Sequence, residues 1–102
     1  MRFDIEDDTC YELFTKGKGA DQYPKGVVDA FFEVMAFIAA ARDVRDLYAM
    51  RGFRVEKLRD KKRWKRGERS LRLNDQYRLL FVQRRDEAGS LLLVLGIVDY
   101  HS

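Results

Sequence analysis

The stretch Ser70-Leu71-Arg72-Leu73-Asn74-Asp75-Gln76-Tyr77-Arg78-Leu79-Leu80-Phe81 decides the fold. Apolar and polar residues alternate with a period of two on both sides of Asn74-Asp75-Gln76, three residues suited to a tight turn. The stretch therefore reads as a hairpin. On its first strand, residues 68–73, Leu71 and Leu73 face inward while Ser70 and Arg72 face outward. On its second, residues 77–84, Tyr77, Leu79 and Phe81 share the inner side, so Arg78 leaves it.

Beyond the hairpin, residues 85–89 form a second loop. Residues 91–99 are an almost continuous apolar run, as expected of a strand buried on both faces. Upstream, Phe53 and Val55 alternate with Arg54 and Glu56, which predicts a strand over 53–58, followed by a polar loop over 59–67. Residues 43–50 read as a connector with room for a helical turn. Residues 24–42 carry the clearest helix: Val27, Phe31, Val34, Met35 and Ile38 recur at helical spacing, and Pro24 suits the first turn. Phe32 and Phe37 widen its apolar stripe. A short helix is expected over 9–15, with Cys10, Leu13 and Phe14 on one face and Gly17 and Gly19 behind it. Residues 1–5 alternate as a strand. The whole order predicts an α+β fold. The N-terminal strand and two helices pack on one face of a mainly antiparallel sheet of four or five strands.

A length of 102 residues suits one domain spanning 1–102. The composition, 46% apolar and 36% charged, is that of a globular chain rather than a disordered tail. No apolar run reaches the roughly 20 residues of a membrane span, and the first residues lack the apolar core of a secretory signal, so a cytoplasmic protein without membrane partners is expected. With one cysteine and one histidine the chain has neither an internal disulfide nor a zinc site, and Cys10 reads as a small core residue.

The net charge of +3 conceals a strong segregation. Residues 51–72 hold eleven basic and three acidic groups, a balance of +8, while the other eighty residues balance at −5. That is the footprint of a polyanion-binding face. Within it, Lys61-Lys62-Arg63-Trp64-Lys65-Arg66 interleaves one aromatic ring with five cations, a composition suited to phosphate contact and base stacking. The alternative for Trp64 is a lid on the core.

Three segments together resemble the RelE/ParE toxin superfamily, and most closely its HigB-like branch, the plasmid maintenance system killer proteins. Arg51-Gly52-Phe53-Arg54-Val55-Glu56-Lys57-Leu58 is similar to the family's opening of the first central strand. The hairpin quoted above matches its strand arginine, turn asparagine, aromatic-arginine pair and phenylalanine. Val98-Asp99-Tyr100-His101 matches the killer branch's Asp-Tyr-His. The resemblance covers the C-terminal half of the chain; the N-terminal half agrees in element order.

What the resemblance implies is a toxin of a type II toxin–antitoxin pair that cleaves mRNA on the ribosome. The reaction needs no metal and no cofactor: the RNA 2′-hydroxyl attacks the neighbouring phosphate and leaves a cyclic phosphate. Implied partners are mRNA, rRNA and an antitoxin of helix-turn-helix type. Such chemistry requires a base for the 2′-hydroxyl, a cation at the phosphate and an acid for the leaving oxygen. His101 carries the only imidazole, the side chain whose ordinary pKa lies near neutrality. Asp99, two residues earlier, can orient it, and Tyr100 can stack on a base or reach the phosphate. The resemblance makes Arg78 the transition-state cation. Arg72 is a second candidate, unless it serves the hairpin itself. Lys57 and Arg59 are candidate phosphate ligands. Killer-branch proteins often have a histidine where this chain has Glu56, so the base is either Glu56 or His101. Two other readings share the fold: a ParE-like gyrase poison, which generally lacks the Asp-Tyr-His set, and a catalytically degenerate RNA-binding domain.

Overall fold

The computed structural model describes residues 1–99, so Tyr100 and His101 lie outside the described residues. The chain forms strand β1 (Phe3–Ile5), helices α1 (Asp8–Lys16), α2 (Lys25–Ala40) and α3 (Arg45–Ala49), strand β2 (Glu56–Lys57), helix α4 (Lys61–Lys65), and strands β3 (Arg69–Arg72), β4 (Tyr77–Asp86) and β5 (Gly89–Asp99). The sheet order is β1-β5-β4-β3-β2. β1 runs parallel to β5, and the other pairings are antiparallel. This is the α+β arrangement expected.

Local chemistry explains the helix boundaries. The Asp7 carboxylate accepts the Cys10 N–H at 2.9 Å and starts α1. Gly17 ends it at φ 67°, a left-handed conformation that costs glycine little. Pro24 precedes α2, whose buried residues are the periodic set Val27, Phe31, Val34, Met35 and Ile38.

These side chains, with Cys10, Leu13 and Leu47, pack on Leu71, Leu73, Leu79, Phe81, Leu92 and Val94 of the sheet. The core thus lies between α1–α3 and one sheet face. The opposite face holds a smaller apolar layer, in which Leu58, Leu80 and Val82 are buried. Arg63 of α4 lies over this second face beside Leu80, Val98, Leu93 and Leu95.

Three expectations need correction. The strand expected over 53–58 is reduced to Glu56–Lys57. Phe53 ends a 3₁₀ turn and packs edge-on to Phe37 at 5.1 Å, and Arg54 takes φ 47°, which breaks the extended chain. The polar loop expected over 59–67 contains α4, which Asp60 caps by accepting the Lys62 N–H at 2.9 Å. β5 is not equally buried on its two faces. Leu92 and Val94 are fully covered by the core, whereas Leu91, Leu93 and Leu95 are half-exposed on the second face. A β-bulge interrupts this strand: Leu80 faces Gly96 but Phe81 faces Val94, so Leu95 is the extra residue. Gly96 (φ 152°) lies under the α1 cap, where a Cβ would stand 3.7 Å from Asp7.

Candidate functional site

The hairpin turn organises the first part of the site. Asn74 Oδ1 accepts the N–H groups of Gln76 at 2.9 Å and Tyr77 at 2.6 Å, closing the turn. The Asn74 backbone carbonyl accepts a bond from Arg78 Nη1, and the Tyr77 carbonyl accepts another at 3.1 Å. Arg78 is therefore held by main chain on the sheet face away from the helices, with Arg72 and Val98 as its cross-strand neighbours. The Arg72 guanidinium is engaged by Asp75 within the same hairpin.

Arg78 lines a cleft of about 250 Å³ with Arg54, Glu56, Lys57, Arg59, Ser70 and Asp75. Four cations outnumber two carboxylates there, so the cleft favours an anion. Glu56 is exposed, pairs across strands with Ser70, and stands 4.0 Å from Arg54 Nε. The cationic surroundings that a carboxylate needs beside a phosphate are thus present. Lys57 Nζ lies 4.8 Å from the centre of the Trp64 ring, a cation–π contact.

A neighbouring cavity of about 310 Å³ is lined by Leu58, Arg59, Asp60, Arg63, Leu80, Val98 and Asp99. Arg59 lines both spaces. Asp99 ends β5 at the rim, where its Oδ2 accepts a hydrogen bond from Gln76 Nε2 at 2.9 Å. The structure thus brings Arg78, Glu56, Lys57, Arg59 and Asp99 to the linings of two cavities that share Arg59.

The basic hexad divides in two. Glu68 is buried, and its carboxylate binds Arg63 at 2.7 Å and Arg66 at 3.1 Å. These two arginines fasten α4 to the sheet. Lys61, Lys62 and Lys65 are exposed, and Trp64 is half-buried. Sequence reasoning missed Glu68, Gln76 and the Asn74 carbonyl. Only the turn-forming composition of 74–76 hinted at the last two. Cys10 is buried against the core, and desolvation, with the Asp7 carboxylate second, pushes its thiol up to about 12; it stays a protonated packing group.

The sequence matches no family model and no curated protein. Among the solved structures that are similar to it, two match over essentially the whole chain. One is a YoeB/ParE toxin from Agrobacterium tumefaciens, with a TM-score of 0.58 and 10% identity, covering 99% of this chain and 100% of that one. The chain has the fold of the YoeB/ParE toxins. The other is the YoeB-YefM complex from Staphylococcus aureus, with a TM-score of 0.55 and 20% identity, covering 100% of both chains. At these identities the toxin likeness is one of fold. Among the described residues no helix is long and apolar enough to cross a membrane.

Proposed function

We propose that the protein is the toxin of a toxin–antitoxin pair and a ribosome-dependent mRNA endonuclease of the HigB-like branch, working in the cytoplasm. The observation that carries this reading is the gathering of Arg78, Arg59, Lys57 and Glu56 around one cleft, beside a second cavity that Asp99 lines. In the proposed reaction the 2′-oxygen attacks phosphorus and the P–O5′ bond breaks. The products are a 2′,3′-cyclic phosphate and a 5′-hydroxyl end. Arg78, with Arg59 and Lys57 nearby, stabilises the charge on the phosphoryl oxygens. Either Glu56 removes the 2′-hydroxyl proton and His101, oriented by Asp99, gives its proton to the departing oxygen, or His101 is the base and a group other than His101 protonates that oxygen. Tyr100 stacks on a base. Lys61, Lys62 and Lys65 hold rRNA or mRNA phosphates.

The Staphylococcus aureus chain was solved in a complex with YefM, which supports a cognate protein partner here as well. We assign that role to an antitoxin of helix-turn-helix type. Expression in bacteria with mapping of mRNA ends tests the reading. Growth arrest with translation-dependent cuts that vanish in His101→Ala and Arg78→Ala supports it. Arrest with intact mRNA and trapped gyrase–DNA complexes would assign the fold to gyrase poisoning instead.

A further inference from the structure

We infer that Gln76 is a positioning residue for Asp99, and that the turn at residues 74–76 is the bracket holding the cation and the carboxylate of the site together. This inference rests on the nuclease reading above. Two bonds carry it. The Asn74 carbonyl accepts from Arg78 Nη1, and Gln76 Nε2 donates to Asp99 Oδ2 at 2.9 Å across 23 positions of chain. Asn74 Oδ1 closes the turn between these two contacts. One three-residue turn therefore ties the Arg78 guanidinium and the end of β5 to the same backbone.

The bond has a specific purpose at this place. Asp99 lines the rim of a cavity together with Arg59, Asp60 and Arg63, and Tyr77 is its cross-strand partner. An amide donor holds one oxygen without adding charge, so the carboxylate keeps a fixed orientation at the strand end that leads into Tyr100 and His101. Gln76 itself is exposed at the turn, and its side chain adds little to the core.

The test uses the full chain, reconstituted translating ribosomes and a defined mRNA, with single-turnover cleavage measured across pH. Gln76→Ala is expected to lower the cleavage rate constant about ten- to a hundredfold, the range for losing a hydrogen bond to a charged group, with ribosome affinity within about twofold. Gln76→Glu removes the donor and sets two carboxyl groups together. It should be as slow as Gln76→Ala near neutrality and regain rate toward acidic pH, where the pair shares one proton and a donor returns. In an Asp99→Ala background, Gln76→Ala should cost nothing further. Thermal melting of each variant verifies that it folds.

Three results would overturn the assignment. One is an equal Gln76→Ala penalty with and without Asp99. The second is a loss confined to ribosome affinity. The third is a Gln76→Glu variant whose pH profile parallels that of the unmodified chain. If the unmodified chain cuts no mRNA under these conditions, the nuclease reading falls and takes this inference with it. If it cuts and the Gln76 variants behave as in any of the three results, only this inference falls.

Discussion

Arg78 on β4 stands directly across the ladder from Arg72 on β3, and the two guanidiniums are held by different partners. Arg72 is engaged by the Asp75 carboxylate, whereas Arg78 donates to the backbone carbonyls of Asn74 and Tyr77. Two adjacent arginines on one face therefore have separable roles.

That separation predicts opposite phenotypes. Arg78→Gln should reduce cleavage about 10²–10³-fold, the range for losing one donor to a charge-developing oxygen, with little change in melting temperature. Arg72→Gln breaks an exposed pair and should cost under about 1 kcal/mol while leaving cleavage within a few-fold. Rate constants and melting curves on the two purified variants decide it.

Glu68 predicts a stability defect with a functional echo. Its side chain is 8% exposed and pairs with both Arg63 and Arg66, which are themselves 38% and 61% exposed. Solvent screening of the arginines lowers the value of the cluster below that of a fully buried pair. Glu68→Ala should cost about 1–3 kcal/mol in denaturant unfolding and loosen α4, so ribosome binding weakens with it.

The lysines of α4 predict a salt signature. If Lys61, Lys62 and Lys65 each neutralise one RNA phosphate, each alanine substitution should lower the slope of log affinity against log salt by about 0.7–0.9. Ribosome association between low and moderate salt measures this. An unchanged slope in all three variants would show that these lysines are merely solvated.

Cys10 predicts a pH dependence at the alkaline end. Its pKa rises from an ordinary 9.0 to about 12 in the folded protein. The folded state therefore holds the proton more tightly than the unfolded state. The contribution is fully present below pH 9 and is lost as pH rises toward about 12. Alkylation of Cys10 at neutral pH should be very slow in the native protein and rapid after unfolding; equal rates in both states would contradict the burial.

Much of this fold is legible from residue periodicity. The five buried residues of α2 are those that recur at helical spacing, and the Leu71, Leu73, Leu79 and Phe81 set of the hairpin is the inner face. Phe53 misleads because its partner is Phe37 on α2 rather than a strand neighbour. A run with one aromatic and five cations has no apolar stripe, so α4 is invisible until Asp60 is seen capping it. The parity of Arg78 could be read from its place between Tyr77 and Leu79. The Gln76–Asp99 bond and the capture of Arg63 and Arg66 by Glu68 could not, since each depends on side-chain reach in three dimensions.

The most direct measurement is the chemistry of the cut. Purified protein is added to translating ribosomes carrying a defined mRNA, and the new 3′ ends are analysed. Attack by the 2′-hydroxyl predicts 2′,3′-cyclic phosphate ends at ribosome-bound codons, formed with no metal added for the protein, and abolished by a 2′-deoxy substitution at the cut nucleotide. Intact mRNA, or cuts that persist at a 2′-deoxy nucleotide, would contradict it.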